Sequence, residues 1–407
     1  MLCLTIVTFS DSTNFMRKIL FTFILSYALA LAHGQSTVDQ VLAAIEENNK
    51  TLAAKAGFLE KKRLEYHTGL TPNDPTAEFD YLFGTPADLG NQTEFMVVQS
   101  FDFPSAYAKK GRIADEKSEQ LEIELAIARQ EVLLEASTYC MELIYLNKLL
   151  GHIEGRVASA RRVKEVMEVR LQHEEITTIE ANKARVALLN YTTKSQLLQS
   201  EREQWHARLQ GLNGGEPISF QDMEYPFMVE VPEVATLIQA VEEQDLKLRK
   251  YEKQRSVSEM QVGLARAMAL PRFEAGYRYQ AILGQKFNGI HMGISLPLWE
   301  SRNTVKVAQA NIQYTQMEQE QHQTTQEHFI REQYEKYEAL RKNLTAYQDA
   351  LEGLNNEALL EKLLEQGEIS FIEYALDMDY YFKAWERYLE LERELYITLA
   401  RMMKHEL

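Results

Sequence analysis

Glu175-Ile176-Thr177-Thr178-Ile179-Glu180 returns 193 residues later as Glu368-Ile369-Ser370-Phe371-Ile372-Glu373. Each copy lies between two long, highly charged segments whose apolar residues recur at helical spacing. Each therefore reads as the turn at the tip of a helical hairpin, and the chain as two tandem copies of one unit. Working back from the first turn, Leu121, Leu125, Val132, Leu143, Leu146 and Leu150 punctuate a charged background that begins near residue 106. The return arm runs to Leu212, where Gly211, Gly214 and Gly215 supply a C-cap and turn. At 1.5 Å rise per residue the longer arm reaches roughly 100 Å. Antiparallel packing of the two arms as a coiled coil is the natural way to bury their apolar stripes.

Each hairpin is preceded by a helix and two strands. Thr37-Val38-Asp39-Gln40 has the form of a capping box and opens a helix predicted over 38–66. Phe79, Tyr81 and Phe83 alternate with polar neighbours, which predicts a strand at about 77–83; a second follows at 94–103, ended by Pro104. Residues 35–215 thus form the first repeat, with its hairpin over 106–212. A linker at 216–232 carries Pro217, Pro226 and Pro232. The second repeat, 233–407, has strands predicted at 272–282 and 289–298 and a hairpin over 300–404. In the last strand Ile290, Met292, Ile294, Leu296 and Leu298 alternate with His291, Gly293, Ser295 and Pro297. With Phe101 and Phe103 these apolar residues suit a lipid-facing surface, and ten residues is the length of a membrane-crossing strand. Four strands cannot close a barrel with a lumen; three copies give twelve, so the pattern asks for an oligomer.

Composition narrows the function. The formal net charge is −16, which argues against nucleic acid as a partner, since phosphate binding needs clustered Lys and Arg. Cys140 stands alone in a helical pattern, where it reads as a small packed residue, and the scattered histidines form no metal-ligand spacing. No GxSxG, HExxH or phosphate-binding glycine loop is present, so no catalytic residue, metal or cofactor is assigned. At the start, Met16-Arg17-Lys18 precedes an apolar run, Ile19 to Leu31, and small residues around Ala32. Residues 1–34 are read as a secretory signal peptide with an upstream extension before Met16. No later segment is apolar enough for a spanning helix, so entry into a membrane requires a β-barrel.

The order helix, strand pair, long hairpin, given twice, resembles the TolC family of outer-membrane efflux proteins. The stretches that carry the resemblance are Gly293-Ile294-Ser295-Leu296-Pro297-Leu298-Trp299, Leu364-Glu365-Gln366-Gly367-Glu368-Ile369-Ser370 and Val305 to Ala310. The resemblance implies a mainly α protein with a small membrane β part. It implies a homotrimer with a twelve-stranded barrel in the outer membrane of a Gram-negative bacterium, and an α-helical tunnel in the periplasm. It further implies a passive conduit for small molecules or metal ions, docked on a periplasmic adaptor (membrane fusion) protein and an inner-membrane pump.

By the same resemblance the adaptor meets the turns, here Gln172, Glu174, Glu175, Gln366, Gly367 and Glu368. Acidic residues past the turns narrow the pore: Glu373, its counterpart Glu180, and Asp377, the last displaced in register, as is Asp379. The bland reading of Glu180 and Glu373, a solvated residue near a helix N-terminus, stays open at this point. Glu174 occupies the position of Gly367, which leads one to expect tips of different shape if the backbone there needs φ > 0. Two other roles compete. One is a conduit for type I protein secretion; the other is a secreted coiled-coil structural or adhesive protein with no channel.

Overall fold

The computed structural model describes residues 37–226, 230–299, 301–352 and 356–407. The expected signal peptide lies outside the described residues. The described residues are mostly helical, with one small sheet. Helices α1 (Val38–Asn48) and α2 (Lys50–Tyr66) lead to strands β1 (Thr76–Leu82) and β2 (Gln92–Phe101). The hairpin α3 (Pro104–Gln172) and α4 (Thr178–Leu212) follows. The second repeat gives α5 (Val234–Gln244), α6 (Leu246–Met268), β3 (Arg272–Ile282), β4 (Gln285–Ser295), α7 (Thr304–Leu351), α8 (Asn356–Glu365) and α9 (Phe371–Met402).

Several boundaries differ from the sequence expectation, each for a local reason. The helix expected over 38–66 breaks at Asn49, which takes extended backbone (φ −66°, ψ 113°). Its side chain leaves the helix to donate to the Leu212 carbonyl, at 2.7 Å. The second repeat breaks at the matching place. Asp245 (φ −66°, ψ 107°) ends α5 and caps α6, accepting from the amides of Lys247 and Leu248. Strand β4 starts earlier than expected because β3 and β4 are joined by a two-residue turn. Leu283 (φ 48°) and Gly284 (φ 73°) both take the left-handed conformation that a type I′ hairpin requires. Residues Leu296, Leu298 and Phe103, expected on the strands, lie beyond their ends. Pro297 has no amide to continue β4, and Pro104 begins α3 directly after Phe103.

The chain forms two compact units. One gathers Leu133–Val229 and Glu338–Ala400 with the residues up to Asn49. Its core is supplied largely by α3: Leu143, Ile144, Leu146, Leu149 and Ile153 are fully buried. Polar pairs link the helices around it, Lys148 to Glu392 (2.7 Å) and Lys194 to Glu386 (2.8 Å). The segment expected as a linker has no regular structure over 216–226, yet it is packed. Phe220 is fully buried, the Asp222 carbonyl accepts from Asn147 (3.0 Å), and Tyr225 stacks on Tyr396 with ring centroids 4.3 Å apart.

The other unit gathers Lys50–Val132, Glu230–Tyr337 and Arg401–Leu407 and holds the sheet. Lysines of α6 pair with glutamates of α3, Lys253 with Glu116 (3.3 Å) and Glu119 (2.6 Å), and Lys250 with Glu124 (3.0 Å). Asp245 also meets His322 of α7 at 2.8 Å. The sheet is antiparallel in the order β1-β2-β3-β4, so β2–β3 pairing joins the strands of the two repeats.

Candidate functional site

Two features of the chain have the makings of a working surface: the pair of turns and the sheet. The turns share one design. After α3, the Glu175 amide donates to the Arg170 carbonyl (2.9 Å) and the Glu174 amide to the Leu171 carbonyl (3.1 Å). After α8, the Glu368 amide donates to the Leu363 carbonyl (2.9 Å) and the Gly367 amide to the Leu364 carbonyl (3.1 Å). This is the Schellman pattern, in which the residue after the cap must be left-handed. Gly367 has φ 75° and Glu174 has φ 58°. The expectation that the tips differ in shape is therefore overturned: Glu174 accepts the left-handed strain, and two hydrogen bonds hold it there.

Each return helix then starts with a capping box. Thr177 accepts from the Glu180 amide while the Glu180 carboxylate accepts from the Thr177 amide (2.8 Å) and hydroxyl (2.9 Å). The Glu373 carboxylate accepts from the Ser370 amide (2.8 Å), and Ser370 Oγ accepts from the Glu373 amide (3.3 Å). These bonds to the charged form, from the Thr177 and Ser370 amides first and their hydroxyls next, hold both carboxyls below the usual carboxylate range. Glu180 and Glu373 thus have a local structural role in addition to any role in a pore. Asp377 is exposed one turn beyond Glu373, and Asp379 pairs with Lys383 (2.7 Å).

The two turns are joined through Arg170. Its Nε lies 3.2 Å from Glu175 Oε2 in its own turn, and its Nη1 donates to the Leu364 carbonyl of the other, at 3.3 Å. Around the joint, Gln172, Glu174, Glu175, Gln366, Gly367 and Glu368 are all exposed. Behind it Val163, Met167, Ala184, Leu360, Leu364, Phe371, Tyr374 and Met378 form one apolar cluster. Arg156 sits next to this cluster with only 7% of its side chain exposed. It donates to Glu357 (3.2 Å), the Tyr191 hydroxyl (3.3 Å) and the Met378 carbonyl (2.9 Å), drawing four helices together. Sequence reading missed both arginines. Only the repeat offers a signal for Arg170, whose counterpart is Leu363, an apolar residue that cannot donate.

The register of the sheet sorts its residues into two faces. Phe79, Phe95, Tyr279 and Asn288 lie in one row across the four strands; Ala77, Val97, Tyr277 and Ile290 lie in the next. Phe101, Phe273, Met292 and Ile294 share this face. It is mostly apolar, with Gln99 and Asn288 among the exceptions, and uncovered: Ile290 and Met292 are each 79% exposed. The opposite face carries Glu78, Asp80, Glu94, Glu274, Arg278 and His291, with Arg278 paired to Glu94 at 2.7 Å. Among the described residues, β1 and β4 each have one edge with no partner strand.

No protein-family model and no curated protein sequence matches the chain. Solved structures do. CusC, whose structures concern transmembrane channel formation, superposes with a TM-score of 0.71 at 15% identity, covering 92% of this chain and 95% of CusC. The CmeC outer-membrane channel of Campylobacter jejuni gives 0.70 at 14% identity, covering 90% and 85%. The outer-membrane protein VceC of Vibrio cholerae gives 0.67 at 14% identity, covering 91% and 94%. The chain therefore has the fold of the TolC-type outer-membrane channels.

Proposed function

We propose that three copies of this chain close a twelve-stranded barrel in the outer membrane of a Gram-negative bacterium. The helical hairpins continue the barrel as a periplasmic tunnel. The assembly is a passive conduit rather than an enzyme; it exports small molecules or metal ions, and an inner-membrane pump supplies the energy. The observation that carries this reading is the sheet. An exposed apolar face, an opposite polar face and two unpaired edges are what a barrel segment between lipid and a wet lumen needs. A monomer in water would expose both the edges and the apolar face. Further support comes from the helices, where Ile179, Val186, Leu189 and Leu197 of α4 and Leu376 and Tyr380 of α9 are exposed, as residues covered by neighbouring copies would be. The likeness of fold to outer-membrane channels points the same way.

In this reading the turns meet a periplasmic adaptor, and three copies each of Glu180 and Glu373 ring the mouth with negative charge that favours cations. Two measurements test it. The purified protein should run as a heat-sensitive trimer and give stable single-channel steps in a planar bilayer. Release from the envelope by salt, or a monomer without conductance, overturns the reading in favour of a non-channel coiled coil. For the ring, Glu373→Gln keeps the cap, because Gln also serves in a capping box, while removing the charge. Divalent-cation block should weaken in this variant; unchanged block removes Glu373 from the pore mouth.

A further inference from the structure

The guanidinium of Arg170 touches both turns. A Cβ built on Gly367 would lie 2.8 Å from Arg170 Nη2, the far end of a flexible side chain, so the guanidinium rests against a glycine whose φ of 75° disfavours a side chain in any case. The Leu364 carbonyl that accepts from Nη1 is the same one that accepts the Gly367 amide and closes the turn. It belongs to the last turn of α8, where carbonyls lack helical partners and a positive charge is favoured. Nε meanwhile is held by Glu175. A planar fork with separate donors can serve both partners at once; an ammonium cannot do so in the same geometry. Leu363, the counterpart of Arg170, has no side-chain donor, so among the described residues this link runs from the first turn to the second without a matching one in return.

We propose that Arg170 is a positioning residue that fixes the second turn to the first and makes the two one rigid docking element. This rests on the reading of the turns as a docking end. Its partner would engage both turns together, with Arg170 acting from beneath and not as a contact residue.

The experiment is hydrogen exchange on the full-length trimer in detergent, with no partner added. In Arg170→Gln the amides of Gly367 and Glu368 should exchange at least tenfold faster, while amides of the α3 core such as Leu146 stay unchanged. Arg170→Lys should resemble Arg170→Gln. Glu175→Gln should change the second turn little. Gly367→Ala should accelerate exchange in either background, because the left-handed φ strains a side chain there whatever the space. Unchanged exchange at Gly367 and Glu368 in Arg170→Gln overturns the proposal, as does full rescue by Lys. These outcomes are separate from failure of the channel reading, which is seen as loss of conductance or of the trimer whatever the turns do.

Discussion

Glu174 and Gly367 adopt the same left-handed backbone, φ 58° and φ 75°, at equivalent places in the two repeats. A residue with a Cβ pays roughly 1 kcal/mol or more for that conformation, whereas glycine does not. Glu174→Gly should therefore protect the first turn. The amides of Glu174 and Glu175 should exchange about fivefold more slowly, as a gain of about 1 kcal/mol would give. Faster exchange would mean that the glutamate side chain contributes something that the strain does not outweigh.

The capping boxes make both turns sensitive to acid. Glu180 and Glu373 have carboxyls depressed by bonds from Thr177 and Ser370. A depressed carboxyl contributes stability at pH above its ordinary range, and this is lost as pH falls through the depressed value. Protection of the Thr177 and Ser370 amides should hold at neutral pH and fall only below about pH 4.3, the usual Glu value. Glu180→Gln and Glu373→Gln should flatten this dependence. A transition that persists in the double variant would assign it to another group.

Asp245 offers a second acid-sensitive point, at the break between α5 and α6. Burial alone would raise its carboxyl, but His322 and the amides of Lys247 and Leu248 outweigh this and hold it low. Its stabilisation is thus present above the ordinary Asp range and lost as pH falls through the depressed value. Asp245→Ala should cost about 1–2 kcal/mol through the lost cap. Asp245→Asn, which places at this break the residue type found at Asn49, should cost less. Chemical denaturation of the two variants at pH 7 gives the comparison.

Arg156 is the buried charge on which four helices converge. Replacing it with methionine keeps much of the volume but strands the Tyr191 hydroxyl and Glu357. Breaking a buried pair typically costs 3–5 kcal/mol; Glu357 is half exposed and can rehydrate, which puts the expected loss nearer ~2–3 kcal/mol. Denaturant midpoints at constant slope would measure it. A neutral result would mean that the apolar contacts around the stem carry the packing.

What is legible in the sequence follows the range of the interactions. The repeat, the long arms and the alternation of Ile290, Met292 and Ile294 are local patterns and can be read directly. The breaks at Asn49 and Asp245 cannot, because helical spacing continues across them and their causes are distant: the Leu212 carbonyl and His322. The start of β4 is hidden because Gln285-Lys286-Phe287-Asn288 does not alternate, and Leu283-Gly284 is not a typical type I′ pair. The turn positions 172–175 and 366–368 are legible from their repetition, but their common shape is not, since propensity disfavours Glu at φ 58°. Arg170 and Arg156 reach Leu364, Glu357 and Met378, roughly 200 positions away, and those links leave no local mark.

The two faces of the sheet predict opposite responses to charge. Met292 and Ile290 lie on the uncovered apolar face, His291 on the polar face between them. If the apolar face meets lipid, Met292→Arg should cost about 2–4 kcal/mol where the residue lies near the bilayer midplane and less toward the interface. His291→Arg replaces one polar residue of the opposite face by another and should leave assembly intact. Heat-dependent migration of the proposed trimer in outer-membrane extracts reads both variants. Loss of trimer in Met292→Arg with retention in His291→Arg is the expected result. The reverse order would mean that the polar face is the one buried and would remove the basis for the barrel.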